Sequence, residues 1–156
     1  MSLYSMIQNP LLESNMNFGN TTLKWKYKIA LTDKTIFKDF ENLIGTKFPS
    51  DLQSLIVTAN GATPDKSRFD LPEESGKSFG SMYTFNRTDL FKTDCDSFII
   101  AQAAIPDNHY IPFGTTPSGD SLVYNISNGI VYLWEHETNH MVSTEKPLER
   151  FISSLY

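Results

Sequence analysis

The chain has 156 residues, of which 40% are hydrophobic and 13% aromatic, and these values fit a single domain with one core. Its formal net charge of −5 argues against direct nucleic-acid binding, because that affinity comes from neutralising phosphates with Lys and Arg. One cysteine, Cys95, excludes an internal disulfide, and without a secretory signal pattern or an apolar run of about 18 residues the sequence predicts a cytoplasmic protein with no membrane contact.

The N-terminal part of the chain predicts an extension followed by one strand. Residues 1–22 are polar without a sustained hydrophobic period, so we expect a partly mobile extension ahead of a single domain over residues 23–156. Apolar residues alternate with lysines over residues 23–31, which predicts an edge strand whose lysines discourage further pairing. A single-stranded nucleic-acid site that stacks bases on Trp25 and Tyr27 is the alternative, but in a strand the aromatic and basic side chains point in opposite directions.

Two short helices joined by a sharp corner are predicted next. The apolar face of the first consists of Ile36, Phe37, Phe40, Leu43 and Ile44. Thr32 or Asp33 is suited to cap its first turn, and Gly45 suits a left-handed end.

Phe48 and Pro49 open the second helix, because proline supplies a preset φ at a first-turn position. Ser50 and Gln53 have the spacing of a capping box. The second apolar face consists of Leu52, Leu55, Ile56 and Ala59. Asn60 and Gly61 then end the helix with another left-handed turn.

The middle of the chain is less regular. Prolines and glycines interrupt residues 64–80, which predicts a loop with at most one short strand near residues 68–71, and residues 81–86 follow as a strand. The pattern over residues 88–107 fits either a two-turn helix or a buried strand. The loop is locally acidic and is either simply solvated or part of a binding surface; its carboxylates are Asp65, Asp70, Glu73 and Glu74.

The last third predicts a sheet and a closing helix. Alternation and turn residues indicate strands over residues 110–114, 122–126 and 130–135, and residues 140–144 can add a fourth. The Asn128–Gly129 turn joins the second and third strands, which we expect at the centre of the sheet. A helix then begins at Pro147, with a buried stripe of Leu148, Phe151, Ile152 and Leu155.

No catalytic constellation is evident in the sequence. His136 and His140 have the spacing of a helical metal pair but lie where a strand enters a turn, and no third ligand is marked, so neither a metal nor another cofactor is predicted. Asp120, Glu135 and His136 are candidates for an acid and base pair. The alternative is that Asp120 caps the turn at Gly119 and that the other two simply end a strand.

Several of these motifs, in this order, resemble the SUKH superfamily (Smi/Knr fold). The matching positions are Gly45, Phe48, Pro49, Asn60, Gly61, Gly119, Asp120, Trp134, Glu135 and His136, together with the terminal helix. Ala62 departs from the pattern, since the family often has a second glycine there. The resemblance implies a single α+β domain with a mainly antiparallel, twisted sheet and helices packed against it.

The same resemblance implies a function. Bacterial SUKH proteins are mainly regarded as immunity proteins that neutralise a cognate toxin, often a nuclease, whereas fungal relatives act in regulating cell-wall synthesis. We therefore expect a non-enzymatic module that binds a toxin domain; the alternatives are a regulatory or scaffold module unrelated to toxins, and a small hydrolase. The candidate partner-binding residues are Asp65, Asp70, Glu73, Glu74, Tyr83, Tyr110, Asp120, Glu135 and Glu137.

Overall fold

A computed structural model describes residues 23–31, 35–86 and 97–156. The predicted extension over residues 1–22, the capping candidates Thr32 and Asp33, and Cys95 lie outside these ranges. The helices are α1 (Ile36–Ile44), α2 (Ser50–Ala59), α3 (Ser97–Ala104) and α4 (Leu148–Ser153). The strands are β1 (Trp25–Lys26), β2 (Thr63–Pro64), β3 (Arg68–Leu71), β4 (Glu74–Ser78), β5 (Ser81–Met82), β6 (Tyr110–Thr115), β7 (Ser121–Asn125), β8 (Ile130–Glu135) and β9 (His140–Pro147).

The strands form one five-stranded sheet and two small pairs. The large sheet has the order β5-β6-β7-β8-β9 with every neighbour antiparallel, while β1 pairs with β2 and β3 pairs with β4. The hairpin of β7 and β8 therefore lies inside the sheet, as predicted, and β9 forms one edge. The predicted fold class, α+β with a mainly antiparallel sheet, is confirmed.

The core lies between the helices and one face of the large sheet. Leu122 and Leu133 of the sheet belong to the same buried cluster as Leu55 of α2 and Phe151 of α4. Because alternate residues of a strand point to opposite faces, the neighbouring residues Val123 and Trp134 point to the other face, where they form a smaller buried cluster with Ile105. The central strands β7 and β8 therefore carry apolar residues on both faces.

An aromatic core fills the corner between α1 and α2. It consists of Phe37, Phe40, Phe48, Phe85 and Phe98. The ring centroids of Phe85 and Phe98 lie 4.5 Å apart, and those of Phe40 and Phe98 lie 4.9 Å apart in an edge-on arrangement. Such ring pairs contribute about 0.5–1.5 kcal/mol each beyond their buried area. The corner is thus held by packing as well as by its proline.

The bounds of α1 and α2 agree with the sequence prediction, but two details differ. Gly45 ends α1 at φ +75° and donates its N–H to the Glu41 carbonyl, as expected. Leu43, however, is 63% exposed, because it lies at the far end of the helix beside an open cavity rather than over the core.

The predicted capping box at the start of α2 is wrong. Pro49, in an extended conformation, occupies the capping position, and no side chain caps the helix. Gln53 instead donates its side-chain amide to the Phe48 carbonyl at 3.0 Å, and the Phe48 N–H donates to the Glu41 carboxylate at 2.8 Å. The corner is therefore closed by one side chain from each helix, which both bond to the backbone of Phe48.

Asn60, which follows α2, ties three segments together from a fully buried position. Its side-chain amide donates to the Ile29 carbonyl at 2.9 Å and to the Asn86 side chain at 2.6 Å, while its side-chain oxygen accepts the Phe85 N–H at 2.8 Å. Gly61 then turns the chain at φ +68°. This left-handed conformation favours glycine, and an added Cβ would also approach the side chain of Ile29 to 3.0 Å, so that Ile29 would have to shift.

The strand predicted over residues 23–31 is wrong in extent. Pairing stops after Lys26, and Tyr27 adopts φ +65° and is 81% exposed. The chain then leaves the ladder because the Ile29 N–H donates to the Asn60 carbonyl at 2.9 Å, which anchors it beside the end of α2. Alternation alone therefore overstated the strand.

The middle of the chain holds more regular structure than predicted. Residues 64–80 contain the hairpin of β3 and β4 instead of a loop with at most one strand, and the strand predicted over residues 81–86 is only two residues long. Residues 97–104 form a helix, which is one of the two alternatives, helix or buried strand, that the sequence left open. Nearer the C-terminus, the strands and the buried stripe of α4 are confirmed.

Two family-motif residues hold the far end of the large sheet. Gly119 turns the chain at φ +94° before β7. Trp134 of β8 is buried with Val123 and Ile105, and its ring N–H donates to the Asn139 side chain at 2.8 Å. Both residues thus shape the end of the sheet at which Asp120, Glu135 and Glu137 lie.

Candidate functional site

Carboxylates from distant parts of the chain line one groove beside β9, which we call the acidic groove. One wall is the turn between β3 and β4, the other is the first half of β9, and the enclosed volume is about 510 Å³. Its lining residues are Leu71, Pro72, Glu73, Glu74, Glu135, His140, Met141, Val142, Ser143 and Glu145. The fold thus places Glu73 and Glu74, predicted from the acidic loop, in the same groove as Glu135, predicted from the end of the hairpin.

The acidic groove combines an apolar floor with a charged rim. Leu71 is buried and Met141 and Val142 are half-buried, whereas Glu73, Glu74 and Glu145 are exposed. Within residues 23–31, 35–86 and 97–156, the one ion pair with a lysine at this rim joins Lys77 Nζ and Glu74 Oε2 at 3.5 Å. The rim therefore keeps most of its negative charge in solvent.

Sequence reasoning missed Glu145. This residue adopts φ +62° in an irregular stretch of β9, and its N–H donates to the Ser143 hydroxyl at 2.9 Å. No periodicity or turn pair marks the position, since Lys and Thr flank it. The signal in the sequence is therefore only the charge itself.

A smaller cavity, the hairpin-end cavity, adjoins the acidic groove. It encloses about 240 Å³ and is lined by Ser118, Asp120, Glu135, His136, Glu137 and Thr138. Glu135 borders both cavities, so the two form one continuous acidic face. The structure thus brings together the hairpin-end residues singled out in the sequence, Asp120, Glu135 and Glu137.

Asp120 and His136 form a close pair in the hairpin-end cavity. Asp120 Oδ1 lies 2.6 Å from His136 Nδ1 and also accepts the His136 backbone N–H at 3.2 Å. The Ser118 hydroxyl donates to the other carboxylate oxygen at 3.5 Å. Both the hydroxyl and the imidazole bond to the carboxylate rather than to each other, whereas a serine activated by histidine needs its hydroxyl in direct contact with the ring.

The described residues give no indication of a metal centre. Within residues 23–31, 35–86 and 97–156 no three His, Cys, Asp or Glu side chains are grouped as metal ligands. His140 Nδ1 lies 3.9 Å from Glu135 Oε1, and His136 is engaged with Asp120. The two histidines thus approach different carboxylates.

Asp65 and Asp70 lie outside both cavities and serve the local structure. Asp65 accepts the Lys24 backbone N–H at 2.9 Å, and this bond lowers the pKa of its carboxyl. Asp70 accepts the Gly76 N–H at 2.9 Å and the Tyr156 hydroxyl at 2.7 Å, and these two bonds, in that order, lower its pKa. Both carboxylates hold the chain around β1 and β3.

The two predicted aromatic anchors are not placed beside the carboxylates. Tyr83 is half-buried against the main core and shares a 2.7 Å hydrogen bond with the Ser121 hydroxyl. Tyr110 is half-buried against Tyr132, with ring centroids 5.5 Å apart, and burial raises its pKa. Neither ring lines the acidic groove or the hairpin-end cavity.

The fold and its motif residues define a class of small α+β proteins with an antiparallel sheet, and comparison with family models makes this specific. Residues 31–154 match the model of the SMI1 / KNR4 family (SUKH-1), and the chain belongs to this family. Membership is consistent with an immunity-protein role. No curated protein matches the chain. In the part of the chain that the structure describes, no helix is long and apolar enough to cross a membrane.

Proposed function

We propose that this protein is a non-enzymatic immunity protein that neutralises a cognate toxin domain, such as a nuclease, by covering a basic surface with its acidic face. Family membership supports the general role. The observation that carries the proposal is the acidic groove, in which Glu73 and Glu74 share one apolar-floored cleft with Glu135. A protein that protects a cell from a nuclease acts where the nucleic acid is, so we place this one in the cytoplasm.

The chemistry of the groove fits a basic protein partner. Nucleases bind phosphates with Lys and Arg, whose long aliphatic stems pack on apolar surfaces while their charged ends stay in solvent. Met141 and Val142 offer such a floor, and the rim carboxylates offer the charge. Complementary charge accelerates the encounter of the two proteins and disfavours wrong partners. Once bound, this protein covers the phosphate-binding surface of the nuclease, so inhibition requires no contact between this protein and nucleic acid.

The proposal expects a toxin domain to be encoded beside this gene, and the test measures the association of that domain with the protein. The double variant Glu73→Gln with Glu135→Gln removes two rim charges, and we expect the association rate to fall about tenfold at low salt and to become less sensitive to salt. The same two substitutions should weaken protection of the nuclease substrate.

The matched control removes two carboxylates elsewhere. Asp107→Asn with Glu149→Gln changes the net charge equally but alters exposed residues outside both cavities. The amide oxygen introduced at position 107 can still accept the His109 backbone N–H, which Asp107 accepts at 2.9 Å. Their effect on the association rate should be small. Equal slowing by both double variants, or none by either, would contradict a binding role for the acidic groove.

A further inference from the structure

Within residues 23–31, 35–86 and 97–156, no strand is hydrogen-bonded to the outer edge of β9, although β3 packs near it. β9 is the last strand of the five-stranded sheet and, among the described strands, pairs only with β8. In an antiparallel ladder every second residue directs its N–H and C=O toward the partner strand, and the others direct theirs away. Along the first half of β9, alternate backbone groups therefore face outward from the sheet.

The open edge has defined ends. It begins at the pair Glu135 and His140, where the hairpin closes. The register then shifts between Ser143 and Pro147, where Glu145 takes φ +62° and the Thr144 hydroxyl donates to the Val131 carbonyl at 2.7 Å. Since such a bulge interrupts pairing, the straight edge covers His140 to Ser143.

The acidic groove runs along this edge. Met141, Val142 and Ser143 line it from β9, and Leu71 and Pro72 face them across the cleft. An extended chain in the groove therefore has backbone groups of β9 on one side and the apolar side chains of Leu71 and Pro72 on the other. Open strand edges invite such pairing, and proteins that do not use them usually cover them.

We propose that an extended, Lys- or Arg-rich segment of the protein partner binds in the acidic groove as an added strand, hydrogen-bonded to β9 along His140 to Ser143. This inference deepens the proposed function and rests on it. Backbone pairing supplies the direction and register, and the rim of Glu73, Glu74 and Glu145 selects basic side chains.

Charge also decides between a partner and a second copy of this chain. Two copies paired through β9 would place the carboxylates of one rim beside those of the other, and like charges in such positions oppose association. A basic segment would instead bring positive side chains beside the rim carboxylates, which favours association. The acidic rim thus blocks self-pairing at an edge that is otherwise free to pair.

The test uses the whole protein and three synthetic peptides. The first is the capped hexapeptide Lys-Val-Lys-Val-Lys-Val; the second carries N-methyl groups on its three valines, and the third carries them on its three lysines. All three have the same charge. When the peptide is an added strand with its lysines at the rim, either the valine N–H groups or the lysine N–H groups face β9, but not both. Methylation of the set that faces β9 removes its hydrogen bonds, so that peptide should bind about tenfold more weakly than the other methylated peptide.

Amide hydrogen exchange locates the binding. With the unmodified peptide bound, we expect alternate amides within residues 140–144 to exchange at least tenfold more slowly. Equal affinity of the two methylated peptides would overturn strand addition but leave the charge-based function intact. Failure of the unmodified peptide to bind, protection elsewhere in the protein, or dimers of the free protein joined through β9 would also overturn it, while the toxin association test stands separately.

Discussion

The aromatic core and the acidic groove are assembled by opposite means. The rings of the aromatic core come from α1, the corner, and the segments around Phe85 and Phe98, and they are buried on all sides. The acidic groove places exposed carboxylates on a thin apolar floor. The first region stabilises the fold by excluding water, and the second keeps its charges in water for a partner. Stability and recognition therefore depend on different residues.

The sharpest way to test this division is to remove one ring from the aromatic core. Phe40 is fully buried and contacts Phe48, Phe85 and Phe98. Phe40→Ala should lower the free energy of unfolding by about 3–5 kcal/mol, because it removes buried area and leaves a cavity. Urea denaturation measures the loss.

Leu43→Ala, on the same helix, is the control for this substitution. The exposed Leu43 side chain should change the free energy of unfolding by no more than about 0.5 kcal/mol. If Leu43→Ala destabilised the protein as much as Phe40→Ala, the aromatic core would not be the main support of α1.

A smaller effect is expected at the polar centre of the same region. Asn60→Ala leaves the Phe85 N–H without its acceptor in a buried site, so we expect a loss of about 1–3 kcal/mol in the free energy of unfolding. Asn42→Ala on the exposed side of α1 is the matched control and should cost almost nothing. Thermal melts of the two variants measure the difference. Equal shifts of their melting midpoints would contradict a stabilising role for the hydrogen bonds of Asn60.

The smallest expected effect on stability lies in the acidic groove. Glu73→Gln with Glu135→Gln should change the free energy of unfolding by less than about 0.5 kcal/mol, because Glu73 is exposed and the half-buried Glu135 makes only long contacts, with the Thr138 hydroxyl at 3.4 Å and His140 Nδ1 at 3.9 Å. Calorimetry on this double variant tests that value. A large destabilisation would mean that the groove residues support the fold, and the slowed association could then not be assigned to recognition.

Local patterns in the sequence predict the parts of the fold that depend on near neighbours. The face of α1 follows from helical spacing, and the left-handed end at Gly45 follows from the conformational freedom of glycine. The turn before β8 and the stripe of α4 are equally local. Where the prediction failed, at residues 23–31, alternation was present but pairing ended after two residues.

The acidic groove could be predicted only in pieces. Glu74 and Glu135 were both candidates, but nothing in their own surroundings says that the β3–β4 turn lies against β9. That contact depends on how strands far apart in the chain pack together. The spacing of hydrophobic residues within one strand does not encode this arrangement. Asp70 illustrates the same limit: its acidity suggests a binding role, but the sequence does not indicate that its carboxylate accepts bonds from Gly76 and Tyr156.

The strand order of the large sheet has a consequence for how the molecule assembles. β6, β7, β8 and β9 follow one another in the chain and pair in that same order, so each hairpin closes over a short loop with little entropic cost. The β3–β4 turn must instead reach β9 from a distant part of the chain, since β4 begins at Glu74 and β9 only at His140. We therefore expect the four-strand ribbon to form early and the cleft to appear only when folding is complete, so that nascent chains expose no finished binding surface.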